Sequence, residues 1–559
     1  MYRLFDTHKI RKNTELSGSF WDFSTYDGDG SVNKKVLVPS CWQSYPETTN
    51  YIGRASYKKD VYCDGNVRFI FKGVAHTADV FFDGDKIAHH YNAFTEFDAL
   101  VRNVSKGVHL LEVIADNTLD ERSALHVEND YFNYGGITRS VVMEEVSDVY
   151  IKYVHFTPFK ADGTWHADIE AHIINLSDKD RLCSVNVGIE EIIGGKRIAT
   201  YTPPATILPS GESVLNMHLD DLRVCEWNLE EPVLYNLCAV LSDENGSVLD
   251  DLIDRIGFRQ VEVIGSKIFL NGDELKVRGF CRHEEHPQFG SSLPLSAMEQ
   301  DIMLMQDLGA NSIRTTHYPN DELFLDLCDE QGILVWEENH ARGLSEDQMR
   351  NPNFETQAED CIKEMIICHY NHPSIYIWGI LNECSSDTEY GSRCYSSQYD
   401  LIKTLDPDRP RSSASCKFKT DICFGYPEVV SYNIYPLWYH NTDPKEYIDD
   451  LYNWIQDKTE GAGKPFLITE VGAGAIYGNR TPMKTKWSEE YQAEALRRQL
   501  KAIFESDYCS GVYIWQFCDG KVSDEWWSGR PRTMNNKGIV DEYRRPKMAY
   551  QVVKDIYNR

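Results

Sequence analysis

At 559 residues, with 12% aromatic and 26% charged side chains, the chain is too long for one ordinary core and suits two to four domains. No run of 18 uninterrupted apolar residues is available to span a bilayer. A formal net charge of −30 works against nucleic acid and anionic membrane surfaces as partners, and obliges any anionic substrate to meet local cations. Residues 1–7 carry no apolar core of signal-peptide length. The fifteen cysteines, odd in number and without paired spacing, often sit beside apolar residues, as in Leu327-Cys328 and Leu237-Cys238-Ala239. They read as reduced, buried thiols, and the expected location is the cytoplasm.

Residues 1–145 read as many short strands punctuated by turns such as Asp27-Gly28-Asp29-Gly30 and Asp83-Gly84-Asp85, which predicts an all-β sandwich. Trp21 and Phe23 alternate as strand core residues do. Residues 146–258 alternate apolar and polar, as in Val185-Asn186-Val187-Gly188-Ile189, with turns at Gly194-Gly195 and Glu244-Asn245-Gly246, and predict an immunoglobulin-like sandwich. From 259 to 559 the pattern changes to strand then helix. Apolar strands are expected at 276–281, 310–315, 333–336, 375–381, 412–416, 429–435, 465–469 and 511–517. Between them, a helix over 297–308 follows Ser296 as N-cap, and one over 320–330 ends before Gly332. Eight such units predict a parallel (β/α)8 barrel.

Two of these strands end in carboxylates. Ile375 to Leu381 runs without charge into Asn382-Glu383, and Pro465 to Thr469 runs into Glu470. The carboxyl ends of barrel strands converge on one mouth, and paired carboxyl groups are what glycoside hydrolysis needs, about 5 Å apart in retaining enzymes. A charged Glu470 would raise the pKa of Glu383 and keep it protonated near neutral pH. Ordinary exposed strand-end glutamates are the alternative.

The order Asn371-His372-Pro373-Ser374, Asn382-Glu383 and Thr469-Glu470 resembles the family 2 glycoside hydrolases, the β-galactosidase, β-mannosidase and β-glucuronidase group, and the likeness covers nearly the whole chain. It implies an amino-terminal jelly-roll domain, an immunoglobulin-like domain and a TIM barrel. Stretches 17–23, 38–42 and 78–84 are similar to the first of these, and Trp227, Pro232, Leu234 and Tyr235 to a signature in the second. The resemblance makes Glu383 the acid/base and Glu470 the nucleophile. It implies that Asn382 bonds the sugar 2-hydroxyl, that Asn433 contacts substrate, and that Tyr435 holds the nucleophile in line. Arg314 and His317 lie in Arg314-Thr315-Thr316-His317-Tyr318-Pro319, similar to the family's block except for Thr316, and Arg314 would orient Glu470. His283 lies in a run where Cys281 stands in place of the usual Asn. In residues 129–139 Asp130 matches a family Asp that reaches sugar hydroxyls, with an Asp that caps a turn before an aromatic cluster as the alternative. His283-Glu284-Glu285-His286 lacks the spacing of a helical zinc pair, and Glu337-Glu338-Asn339-His340 departs from the family's magnesium pattern. No metal and no cofactor are expected.

Asn535-Asn536-Lys537 is similar to the Asn-x-Lys motif of β-glucuronidases. A carboxylate on C5 of the sugar needs a cation and a donor, and a charge-assisted bond of about 1.5–3 kcal/mol is enough to decide substrate choice. A solvated loop is the competing reading. Tyr439 following Tyr435, Trp515 as a platform under the sugar, and residues 487–492 agree with that subgroup. Arg530 or Arg532 is expected to add a second cation; Arg532 is carried as a site residue, although the sequence register does not choose between the two. The expected activity is therefore a retaining exo-β-glucuronidase acting on small-molecule or oligosaccharide glucuronides. Alternatives are a β-galactosidase or β-galacturonidase of the same family, or a catalytically dead carbohydrate-binding protein. Family members are commonly tetramers, so a homo-oligomer is expected. Residues 341–354, over the mouth, yield no reading of the aglycone.

Overall fold

The computed structural model describes residues 1–26, 31–523 and 529–559. The expected turn Asp27-Gly28-Asp29-Gly30 lies outside the described residues. Eight parallel strands close in chain order into a barrel: β1 (Val277–Arg282), β2 (Ser312–Thr315), β3 (Leu334–Glu338), β4 (Ile375–Ile380), β5 (Arg411–Ser415), β6 (Val430–Asn433), β7 (Phe466–Val471) and β8 (Cys509–Ile514). β8 returns to β1 through Val277 opposite Gly511. Each of the eight overlaps an expected strand; the most apolar, such as Ile375–Ile380, show the continuous hydrophobicity of strands covered on both faces, while Arg411–Ser415 is mostly serine. All six residues of β4 are buried.

Helix ends follow local chemistry. Glu322–Gln331 is capped by Asp321 Oδ1, which accepts from Leu323 N at 3.1 Å. It closes on Gly332 at φ 66°, a conformation open to glycine without strain. The helix expected after Ser296 instead spans Leu295–Asp307 and starts one residue before that serine, so Ser296 is not its cap. Extended Pro294 leads the chain directly into the first turn, where its missing N–H costs nothing.

The amino-terminal region is one eight-stranded antiparallel system built on two long partners, Arg54–Phe71 and Phe97–Asp116. Trp21 and Phe23 point into its core, as their alternation requires. The next region packs a three-stranded sheet and a five-stranded sheet around a second core. Among the fifteen cysteines none is disulfide-bonded, and all but Cys225, Cys368 and Cys416 are buried. No helix among the described residues is long and apolar enough to cross a membrane.

The stretch before β4 joins these units. Asn371 donates from Nδ2 to Val154 O (2.6 Å) and Asp254 Oδ2 (2.7 Å), and accepts from Phe156 N at 2.8 Å. His372 Nδ1 lies 2.5 Å from Asp329 Oδ2. Burial opposes charge on this imidazole, but Asp329 outweighs it and lifts the group to about 10. Trp227 donates to Asp329 O at 2.8 Å, so the immunoglobulin-like unit is fastened to the same point. On the opposite side, Arg139 of the first unit donates to Glu284 Oε2 and Pro319 O, both at 2.7 Å. The preceding loop 129–135 is held to the barrel by the Tyr131 hydroxyl, 2.9 Å from His340 Nε2, and by Tyr134, which donates to Glu285 Oε1 at 3.1 Å.

Candidate active site

β4 stops at Ile380, and Leu381 (φ 47°) and Glu383 (φ 56°) then adopt left-handed backbone that non-glycine residues seldom take. Neighbouring strands hold this turn. Leu381 N donates to Asn339 Oδ1 at 3.1 Å, and Glu383 N to Ala414 O of β5 at 2.9 Å. The Glu383 side chain thereby reaches the mouth, where Asn433 Nδ2 donates to its Oε1 at 3.0 Å and Arg342 Nη2 lies 3.7 Å from its Oε2.

Glu470, near the end of β7, faces the same cavity of about 250 Å³ as Glu383. Tyr435 donates to its Oε2 at 2.5 Å, and Arg314 Nη1 to its Oε1 at 3.1 Å. Burial, and then repulsion by Glu383, raise the Glu470 carboxyl to about 7 against the pull of Arg314, Tyr435 and Arg342. Glu470 is the deeper of the two carboxyl groups, 4% exposed.

Arg314 lies wholly buried beneath them. It grips Glu338 with two bonds (Nε–Oε2 2.9 Å, Nη2–Oε1 3.1 Å) and donates to Asn382 Oδ1 at 2.7 Å. Glu338 also accepts from Trp336 Nε1 at 3.0 Å and faces His317 Nδ1 at 2.8 Å. Gly379 of β4 makes this possible, since a Cβ there would stand 2.2 Å from Trp336 Nε1. Cys281, where the resemblance led one to expect Asn, directs its thiol to Thr469 O at 3.3 Å. Asn382 accepts from Arg314 and Asn433, while its Nδ2 is buried without a partner. His317 stacks on Trp515 (5.0 Å, 17°) and His283 meets that indole edge-on (5.4 Å, 90°). Burial drives both imidazoles well below their ordinary range, so both are neutral, and each Nε2 lacks a partner.

The cationic flank comes from elsewhere in the chain. Lys537 is buried, with Nζ between 5.5 and 5.9 Å from the ring centres of Tyr435, Trp438 and Tyr439. Burial first, and Arg530 second, draw its pKa below the usual lysine value, against Tyr439 and Asp130. Arg530 donates through Nε to Asp130 Oδ1 at 2.6 Å and through Nη2 to Oδ2. Asn535 Nδ2 donates to the same Oδ2 at 3.0 Å. Burial opposes the charge on Asp130, yet Arg530, Lys537 and Arg342 hold it below the ordinary carboxylate range.

The structure thus brings Glu383, Glu470, Asp130, Asn433, Tyr435, Tyr439, Trp515 and Lys537 into one cavity lining. Asn382, Arg314, His317 and His283 lie against these residues. Asn535 stands behind Asp130 rather than in the lining. Arg532 is a correction: it sits at φ 65° in the turn Pro531–Thr533, which sends its side chain, 47% exposed, to Glu542 and away from the cavity. Arg530 takes the place expected for it. Arg342, Glu338 and the rim residues Phe418, His440 and Tyr447 were missed. A carboxylate ending β3 was a signal for Glu338, which had been weighed only as a metal ligand. Arg342 falls in the stretch 341–354, which offered no pattern. Three groups of His and acidic side chains among the described residues are close enough to share an ion, and none includes a residue of this cavity.

A carboxyl pair at the mouth of a (β/α)8 barrel, preceded by two β-sandwiches, is the build of a glycoside hydrolase. A family model described as "Glycosyl hydrolases family 2, TIM barrel domain" matches residues 261–559, and one described as "Glycosyl hydrolases family 2" matches 149–259. The chain belongs to glycosyl hydrolase family 2. It is 29% identical to a β-galactosidase of Thermoanaerobacterium thermosulfurigenes over 97% of this chain and 70% of that protein. It is 27% identical to a β-glucuronidase of Paenibacillus borealis over 86% and 82%. Among solved structures, a family 2 β-galacturonidase from Eisenbergiella tayi bound to galacturonate is 59% identical, with a TM-score of 0.96 over 100% of this chain and 99% of that one.

Proposed function

We propose that the protein is a retaining exo-β-uronidase that prefers β-galacturonides. The observation carrying this reading is the buried Lys537, joined by Arg530, in the same cavity as Glu383 and Glu470. Burial still holds the Lys537 ammonium below its usual pKa despite Asp130 and Tyr439, so a further anion beside it is favourable, and the C5 carboxylate of a uronic acid is such an anion. The choice of epimer rests on likeness: 59% identity over the whole chain to the galacturonidase, against 27% to the glucuronidase from Paenibacillus. β-Glucuronides, the substrate the Asn-x-Lys motif first suggested, stand second. They carry the same carboxylate and differ at one hydroxyl.

In this reading Glu383 protonates the departing glycosidic oxygen while the Glu470 carboxylate attacks C1, forming a glycosyl ester. Ester formation removes the charge of Glu470, and Glu383, now ionised, takes a proton from water as that water attacks C1 and frees Glu470. Arg314 and Tyr435 keep the nucleophile aligned, and the free Nδ2 of Asn382 serves the 2-hydroxyl. His283 and His317 offer neutral ring nitrogens beside the Trp515 platform. Asp130, held by Arg530 and Asn535, fixes the cationic flank. The reading includes domains at 1–145, 146–258 and 259–559, a cytoplasmic location and a homo-oligomer, a tetramer by family resemblance, which light scattering checks.

The test is kcat/KM on nitrophenyl β-galacturonide, β-glucuronide and β-galactoside in parallel. The galacturonide is expected to lead, with the neutral galactoside lower by about 100-fold, the worth of one or two charge-assisted bonds. A galactoside turned over as well as the galacturonide would overturn the proposal.

A further inference from the structure

The uronate end of the cavity is lined with charge, but its rim on the β5 and β6 side is not. Phe418, Tyr447 and His440 line that rim. Phe418 and Tyr447 lie with ring centres 5.0 Å apart at 34°, and His440 stacks on Tyr447 at 6.2 Å and 14°. Phe418 keeps 40% of its surface exposed. A lone exposed phenylalanine is unremarkable on a protein surface; here the ring belongs to the wall of a reaction cavity.

The wall is held rigidly. Phe418 sits in a tight turn after β5, in which Phe418 N donates to Cys416 O (3.0 Å) and Thr420 N to Lys417 O (3.1 Å). Tyr432 of β6 donates its hydroxyl to Lys417 O from beneath. Lys419 Nζ lies 5.3 Å from the Phe418 ring centre and bonds Asp450 at 2.6 Å, on the helix Pro444–Lys458 that also carries Tyr447. The turn and the helix thus place both rings at the rim before any ligand arrives, which lowers the ordering cost of binding.

Placement gives the wall its role. Glu383 is pinned through its backbone to Ala414 of β5, two residues before Cys416 in the turn that presents Phe418. The cations Arg530 and Lys537 come from the segment after β8, three strands further round the barrel. If Glu383 protonates the leaving oxygen and the cations hold the uronate, the leaving group lies on the Phe418 side. That rim offers the faces of Phe418 and Tyr447, with the Tyr447 hydroxyl and the His440 imidazole among its few polar groups.

We propose that Phe418 and Tyr447, backed by His440, form an aglycone site that selects uronides bearing a flat aromatic leaving group. The proposal rests on the uronidase reading above and deepens it. The experiment compares benzyl with methyl β-galacturonide, whose leaving alcohols are chemically alike while only one carries a ring, and adds a β-galacturonosyl disaccharide. The parent is expected to favour the benzyl substrate. Phe418→Ala is expected to lower the benzyl-to-methyl ratio of kcat/KM about tenfold, mainly through KM, and Phe418→Tyr to keep it. A ratio unmoved by Phe418→Ala, or a larger loss on the disaccharide than on the benzyl substrate, overturns the aglycone site alone. A parent that cleaves none of the three overturns the uronidase reading and this site with it.

Discussion

The two ends of the cavity are built on different plans. At the nucleophile end, Glu470 is held by Arg314 and Tyr435, side chains of or just beyond the barrel's own strands. At the cationic end, Arg530 and Asp130 meet across 400 positions of sequence, one from the segment after β8 and the other from the first sandwich. The first end is built by the barrel alone, and the second is completed by Asp130 of a separate unit. The two ends meet at Tyr435, which bonds Glu470 and stands beside Lys537, but the residues that reach the nucleophile and those that supply the cations are otherwise different.

The sharpest way to break that comparison is at the nucleophile. Glu470→Ala is expected to lower kcat/KM by at least about 10⁴-fold on galacturonide and galactoside alike, since both need the same bond formed. Lys537→Ala should cost about 10- to 150-fold on the galacturonide, the worth of one charge-assisted bond, and little on the galactoside. Equal losses on the two sugars would merge the two ends into one.

Arg530 and Arg532 refine the picture. Arg530→Ala leaves Asp130 buried without its main partner and should cost about tenfold or more on the uronide, because an uncompensated buried charge is expensive. Arg532→Ala leaves the buried Glu542 without its partner and should lower Tm, but because Arg532 faces away from the cavity it should change kcat/KM by no more than about twofold.

The pH profile reports on the carboxyl pair. With Glu470 lifted to about 7, the acid limb of kcat/KM should fall near that pH, because the free enzyme needs Glu470 ionised. Glu383→Gln removes the repulsion and should move the limb to lower pH, measured on a nitrophenyl uronide whose leaving group needs little protonation. The sign for stability follows from the same rise. The Glu470 proton favours the fold fully below the ordinary value of 4.5, and that contribution is lost as pH passes about 7. Glu470→Gln should therefore raise Tm more at pH 8 than at pH 5.

The barrel was legible mainly because strands such as Ile375–Ile380 are continuous apolar runs and alternate with helical stretches, even though Arg411–Ser415 is mostly serine, and the carboxyl pair because both glutamates fall at strand ends, where the mouth is built. The glycosidase class followed from those residues together with the family resemblance. The cationic flank was only half legible. Lys537 could be found from its motif, but the choice between Arg530 and Arg532 turns on one backbone angle, φ 65° at Arg532, which neighbouring residues do not announce. Arg342 lines the cavity from a loop whose sequence has no period to read. Ser296 misled for a related reason: a good capping residue does not start a helix when the preceding proline has already begun it.

The most direct measurement is to trap the enzyme with a 2-deoxy-2-fluoro-β-galacturonosyl fluoride and map the labelled peptide by mass spectrometry. The account predicts one fluorosugar per chain in an ester to Glu470. A label on Glu383, or rapid turnover without any label and with inversion at C1, would contradict it.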